Sequence, residues 1–457
     1  MFLFTLLIVE IFLYFIAYKM SNNDFISPTN FSIFIFIFAT IFAIAGSNMW
    51  NINFSFNSFT YISLGLLMMV VAQAFSLLIN KNIKNDDCTK KIGQHIGRID
   101  IKEYKTFIVN VVVLVLTLLY MYDILKSGAS IGSNGLAAIA AVKYSDSVQT
   151  NSILRQGIKV IMAASFIECY VISRNMVFGW KKKDAVHFIP VICAMICSLF
   201  TSVRTEALRI IFAFFSLYYL NLKDKNKKSS IDIHIKLFKK FLPIIIVLAL
   251  VFSGVKNLVK SSDLPINSAF STIEYISYYI GSPILVFGIK EVKGFNFFKR
   301  KLFGEITLNA FWQDLAGMGF ISKDYMQILS TNVYISKSDS VTANVDTIFG
   351  GLMIDFGLLG MMVFILGLYF ILSNIYLRKV KGKPILNNEL SYIFYGFLFY
   401  LPAMSYYANL FGQYISKYYI ITAIFIYCFY IFYFRADLEK GMHIKIKKSS
   451  ISMYQSM

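Results

Sequence analysis

Two arginines, Arg204 and Arg209, interrupt the apolar stretch "TSVRTEALRIIFAFF", and an acid, Asp355, interrupts another, "TANVDTIFGGLMIDFGLLGMM". A guanidinium inside hydrocarbon is costly unless it is paired or hydrated. Its planar fork suits phosphate oxygens better than a lysine point charge does, so the chemistry on offer is recognition of an anionic headgroup. A local reading stands beside it: Glu206 and Arg209 pair at i, i+3 on a helix, and Arg204 snorkels to the interface. Asp355 also has two readings. It rims a polar cavity, or it sits in the first turn of a helix and favours the dipole. On a continuous helix Gly350, Gly357, Gly360 and Gly367 share one face, the kind of stripe against which another helix packs, and Asp355 projects from nearly the opposite side.

Further charged residues fall in segments expected on the same side of the membrane. The bases are Arg155, Lys159, Lys256, Lys260 and Arg300; the acids are Asp146, Asp263, Glu274, Glu305, Asp314 and Asp346. The histidines fall elsewhere, His95, His234 and His443 in basic segments and His187 at the inner start of a span. Chemistry on the outer face must therefore do without imidazole. The acids are scattered singly and no Cys/His spacing suggests zinc, so neither a catalytic metal nor a cofactor is expected.

The elements that must position these residues are membrane spans. The chain of 457 residues is 57% hydrophobic, 17% aromatic and only 15% charged, with a mean hydropathy of +0.63. Soluble domains carry about a quarter charged residues. Apolar runs of about 17–25 residues recur along the whole length, which makes this an all-α polytopic membrane protein. The net charge of +19 does not indicate nucleic acid. Its lysines and arginines cluster between apolar runs, at 81–105, 181–183, 223–240, 378–383 and 435–448. That is the positive-inside pattern.

About eleven spans follow: 2–19, 31–48, 59–80, 106–124, 158–174, 187–203, 205–221, 241–257, 352–377, 389–407 and 414–434. They form one membrane domain over 1–457, with the N-terminus outside and the C-terminus in the cytoplasm. The first run, "MFLFTLLIVEIFLYFIAY", lacks a basic n-region and a cleavage site, so it reads as a retained span. A single helix over 187–221 would be about 50 Å long, far beyond a roughly 30 Å core. Two short spans turning at "TSVRTEA" instead return both flanking basic clusters to the cytoplasm and set Arg204 at the outer apex. Glu10 and Glu168 are intramembrane acids, for which local pairing is expected over proton coupling.

Two outer segments exceed mere connectors, 126–157 and 258–351. In the second, Phe270, Ile273, Ile276, Ile280 and Leu285 recur at helical spacing, as in a helix lying on or dipping into the membrane surface. Trp312, in "NAFWQDLAGMGF", suits an interface. A structured outer loop lying on the bilayer points to work on something presented there.

The "SVRTEAL" turn at 202–208, "YISYYIGSP" at 275–283 and "ANVDTIFGGLMIDFGLLG" at 343–360 resemble the motifs of Wzy-type polymerases. These bacterial enzymes polymerise the oligosaccharide repeat units of O-antigen and capsule. The match covers roughly 200–365. The resemblance implies a GT-C-like membrane glycosyltransferase of the bacterial cytoplasmic membrane that needs no cofactor. Its donor is a growing glycan on undecaprenyl pyrophosphate, and its acceptor a single lipid-linked repeat unit. A chain-length regulator and a flippase of the same pathway are the implied partners. Arg204 matches the arginine turn and would bind the phosphate. Arg155, Arg209 and Arg300 are further candidates for substrate binding, with Tyr279 and Asn344 from the other two motifs. The base for the acceptor hydroxyl would be Glu274 or Asp355.

Three other classes share parts of this pattern. O-antigen ligases rely on a histidine in the large outer loop, where this chain has none. Metal-dependent enzymes resembling oligosaccharyltransferases want acids in the first outer loop, here "GSNMWNINFSFNSF". A lipid-oligosaccharide flippase or other transporter would show paired halves and short loops.

Overall fold

The computed structural model describes residues 1–46, 50, 54–80, 97–133, 135, 137–144, 151–201, 204–226, 233, 237, 272–295, 302–322, 333–335, 342–380, 388–438 and 444–446. Among them, eight helices are long and apolar enough to cross a membrane. The protein is a mostly helical, multi-pass membrane protein. Its first helix illustrates why: α1 (Phe2–Met20) buries Leu3, Leu6, Glu10, Leu13 and Ala17 and leaves Phe4, Ile8, Ile11, Phe12 and Phe15 exposed. Large apolar side chains on an outer face suit hydrocarbon as solvent, and a helix satisfies its own backbone there.

The chain divides into two compact units, one of residues 1–94 and 219–419, the other of 95–218 and 420–457. The first contains α1, α2 (Pro28–Ala45) and α3 (Phe56–Ile79). Local chemistry sets their starts: Pro28 occupies the first position of α2, and Ser27 Oγ accepts from Asn30 N at 3.4 Å. Ser55 caps α3 in the same way, from Ser58 N at 3.0 Å.

The second unit contains α4 (Glu103–Ala129), α5 (Ala137–Tyr144), α6 (Ser152–Phe178), a 3₁₀ turn (Lys182–His187) running into α7 (Phe188–Phe200), and most of α8 (Arg204–Asn226). Helix α6 is its centre, buried almost without interruption from Gly157 to Asn175. The expected break between two short spans is present, since α7 ends at Phe200 and α8 begins at Arg204. Helix α8 is long enough to span but is not among the eight, because Glu206 and Arg209 near its start and Lys223 to Lys225 at its end dilute its apolar content.

The first unit continues with α9 (Thr272–Val292), α10 (Asn309–Gly317), a two-residue antiparallel ladder of β1 (Val333–Tyr334) and β2 (Thr342–Ala343), and α11 (Thr347–Val380). After α11 come α12 (Asn388–Leu398), α13 (Tyr400–Ala403) and α14 (Phe411–Tyr414). Helix α15 (Lys417–Tyr430) begins here and passes, after Tyr419, into the second unit, which ends with β3 (Ala436–Leu438) paired to β4 (Ile444–Ile446). Helix α11 packs along α3, where a Cβ on Gly65 would strike the Phe349 ring at 2.3 Å. A buried polar knot ties this unit together. Asp24 accepts from Tyr219 Oη at 3.0 Å and Tyr376 Oη at 2.5 Å and pairs with Lys223, while Tyr395 Oη donates to Ile26 O at 2.9 Å.

Several boundaries differ from those expected. The span expected at 389–407 is interrupted, with a turn after Ala403. Helix α4 runs to Ala129, and α5 packs back on it: a Cβ on Gly128 would meet Ala138 Cβ at 2.1 Å. So part of the segment 126–157 is helical. The expected span 241–257 lies outside the described residues.

Helix α9 is helical from Thr272 through Leu285, as its periodicity predicts; Phe270 lies outside the described residues. Residues 281–290 are all buried, and a Cβ on Gly281 would come within 2.6 Å of Ala43 N, so this helix packs backbone to backbone on α2. Its glycine, small enough for that approach, is the physical reason.

Candidate functional site

In the first unit, the helix that carries the tyrosine motif meets the strand and turn that lead into the Asn–Asp motif. Tyr278 Oη donates to Thr342 O at 2.7 Å, and Lys290 Nζ pairs with Asp346 Oδ2 at 2.8 Å. Each bond joins α9 to the strand and turn that lead into α11. The ion pair is largely removed from solvent, with side-chain exposures of 7% for Lys290 and 14% for Asp346. Ser277 Oγ donates to Phe42 O at 2.7 Å and fixes α9 on the end of α2. Tyr279 stacks edge-on against Tyr278, ring centroids 5.2 Å apart, and is partly exposed, as is Asn344 just beyond β2.

Beside Asp346 the backbone is strained. Thr347 has φ +67°, a left-handed conformation that a β-branched residue rarely adopts. Three hydrogen bonds hold it: Thr347 N donates to Tyr407 O at 3.1 Å, Ile348 N to Ser405 O at 2.7 Å, and Phe349 N to the Thr347 hydroxyl at 3.2 Å. Strain of this kind costs about 1–3 kcal/mol and persists only where the surroundings over-determine it.

Asp355 is not where a continuous helix would put it. Helix α11 begins at Thr347 and breaks at Gly357, whose φ +67° and ψ −172° only glycine adopts readily. Asp355 therefore stands near the end of a short first segment and not in a first turn. Its carboxylate accepts from Thr307 N at 2.6 Å and Ile306 N at 3.2 Å, clamping the loop before α10. The break also dissolves the glycine stripe: a Cβ on Gly350 would meet Asp346 of its own segment, and one on Gly367 would meet nothing. The same loop is held elsewhere, since a Cβ on Gly412 would lie 2.1 Å from Thr307 O, and Trp312 Nε1 donates to Phe303 O at 3.1 Å.

Of the arginines, Arg209 is fully buried and pairs locally with Glu206, Nε to Oε2 at 3.6 Å, which is the i, i+3 reading. Arg155 is exposed in the first turn of α6. Arg204 opens α8 and Glu274 lies in the first turn of α9, but their side chains are outside the described residues, as is Arg300 entirely. Arg155, Arg204 and Arg209 belong to the second unit; Glu274, Tyr279, Asn344 and Asp355 belong to the first.

Sequence reasoning missed Lys290. It sits in "VFGIKEV", directly after the apolar run that ends at Ile289, where a lone lysine reads as an interface residue. Only the fold brings it to Asp346. The intramembrane acids pair locally, as expected. Glu10 Oε1 accepts from Thr40 Oγ1 at 2.9 Å. In the second unit Glu168 accepts from Tyr433 Oη at 2.6 Å and meets His187 Nδ1 at 2.7 Å.

Comparison of the chain with protein-family models, with curated proteins and with solved structures finds no match. Fold and site thus define a class, a polytopic helical membrane protein with a buried ion pair beside a strained turn, and no family is shown.

Proposed function

We propose that this chain is a membrane glycosyltransferase of the Wzy type, joining lipid-pyrophosphate-linked oligosaccharide repeat units into O-antigen or capsular polysaccharide. The observation that carries the reading is that the helix bearing the tyrosine motif meets the strand and turn bearing the Asn–Asp motif, Tyr278 bonding to Thr342 just before the second motif and Lys290, beyond the first, pairing with Asp346. Those motifs, with the arginine turn, are the ones that resemble this family. In the reaction the acceptor hydroxyl attacks the donor's anomeric carbon, the bond to pyrophosphate breaks, and a base takes the hydroxyl proton. The enzyme must stabilise charge growing on phosphate oxygens and place the base. Arg204 binds the donor pyrophosphate through its fork. Of the two carboxylates expected as base, Asp355 is committed to the backbone of the loop, where it acts as a positioning residue. That leaves Glu274 as the base. Tyr279 and Asn344, both partly exposed on the joined segments, contact sugar.

Arg204→Ala tests the assignment. Losing one such donor costs about 10²–10³ in rate, so the variant should insert normally yet make almost no polymer. Arg204→Lys should rescue only partly, since it keeps charge and loses the fork. The readout is the surface-glycan profile: single repeats retained on the surface indicate lost polymerase activity. Chains of ordinary length from both variants would remove Arg204 from the mechanism. Complete absence of surface glycan on deletion of the chain would favour a flippase.

A further inference from the structure

The second unit holds a cavity of about 380 Å³ lined by none of the residues assigned to the reaction above. It is of the size that takes small ligands. Its walls come from the segment before α4, the first two turns of α4, and the 3₁₀ turn before α7. The fold fixes it firmly. Arg174 Nε donates to Gly97 O at 3.0 Å, and Asn175 exchanges hydrogen bonds with Ile99, Oδ1 from N at 2.9 Å and Nδ2 to O at 3.0 Å. Asn110 Nδ2 closes the far side on Val186 O at 3.2 Å.

Cations dominate the surroundings. Residues 98–105 and 181–187 carry six lysines and arginines against three carboxylates. Arg98 is the central one, with 11% of its side chain exposed. Its Nη2 meets Asp184 at 2.5 Å and Asp100 at 3.1 Å, while its Nε and Nη1 are buried without a hydrogen bond. A buried donor left unmet is costly, so this side of the guanidinium calls for an acceptor. Lys183 stands at the rim, 3.8 Å from Asp100 and 3.7 Å from Glu103. Both of those acids are well exposed, and such pairs are weak enough to exchange for another anion. His187 adds an imidazole whose Nδ1 is held by Glu168.

The other wall is apolar. Phe107 and Val186 line the cavity and are exposed, and Phe107 continues along one face of α4 into exposed Val111, Leu114 and Leu118. A charged floor opening onto a lipid-facing stripe is amphiphilic in the manner of a phospholipid. Lysine and arginine clusters of this kind also mark the cytoplasmic leaflet, where anionic lipids are enriched.

We propose that this cavity is a binding site for a phosphate group, carried by the head of an anionic membrane lipid whose acyl chain follows the Phe107–Leu118 face of α4. The site is independent of the reaction proposed above. The phosphate takes the unmet edge of Arg98 and displaces the rim acids from Lys183.

The full chain in nanodiscs of mixed phosphatidylcholine and phosphatidylglycerol tests this by native mass spectrometry of the lipids it retains. The wild type should retain phosphatidylglycerol in preference. Lys183→Ala, at a half-exposed position that leaves the fold intact, should cut that retention about fivefold, the weight of one surface cation. Arg98→Lys should cut it further, and circular dichroism reports whether that variant is folded. Inorganic phosphate separates the two sources. If it displaces the lipid from the wild type, the lipid is held through its phosphate; if it binds the wild type while the two lipids are retained equally, a soluble phosphate is the occupant and the lipid assignment is overturned. Equal retention of the two lipids, or preference unchanged in a folded Arg98→Lys and in Lys183→Ala, with no effect of inorganic phosphate, would overturn the proposal.

Discussion

Lys290 and Asp346 illustrate how a single pair couples stability to the site. Each alone would be a buried charge in an apolar bundle, and the 2.8 Å contact is what makes both tolerable. Removing one partner of such a pair costs about 3–5 kcal/mol, because it strands the other, whereas replacing both by apolar side chains is often neutral. Lys290→Met should therefore lower the unfolding midpoint in detergent sharply, and adding Asp346→Leu should restore most of it. A double variant as unstable as the single would mean that the pair holds the turn by geometry rather than by charge. Activity separates the two roles: if the pair serves only to join α9 to the turn before α11, the restored double variant should polymerise.

At the scale of elements, α11 is governed by its break. Gly357 adopts a conformation that costs other residues about 1–3 kcal/mol, and the break is what turns Asp355 toward the loop before α10. Gly357→Ala should thus lower stability by that amount and loosen the loop, seen as faster proteolysis between 302 and 322. Gly367, on the same nominal stripe, offers the control. A Cβ there meets nothing within 4 Å, and alanine in a helix interior is favoured over glycine by roughly 0.5–1 kcal/mol. Gly367→Ala should leave stability unchanged or raise it. The close approach of α9 to α2 at Gly281 follows the same logic in reverse, since any larger side chain there meets the Ala43 backbone.

For the whole molecule, the eight apolar helices among the described residues suit a multi-pass chain, and the positive-inside pattern predicts its orientation. The expected outcome is that Lys182→Cys, in a background with the five native cysteines replaced, reacts with an impermeant maleimide only after the membrane is opened. Asn344→Cys, at an exposed position, should react from outside intact cells once any outer barrier is removed. Labelling of both from the same side would refute the orientation on which the outer site and the cytoplasmic-leaflet cavity both depend.

The amino-acid sequence alone determined the class of protein and most of its helices, because hydropathy and charge are local properties that a window of residues reports in full. It located the first three helices to within a few residues and the break between α7 and α8. It also predicted that Glu10 and Glu168 pair locally, without identifying the partners. Those depended on which side chains the fold brought within a few ångströms. His187 and Tyr433 meet Glu168 from positions 19 and 265 residues away. Tyr219, Lys223 and Tyr376 converge on Asp24 over separations of 195 to 352. The break at Gly357 was likewise decided in three dimensions. Glycine permits both the helical and the left-handed conformation, and only the packing of the flanking segments selects between them.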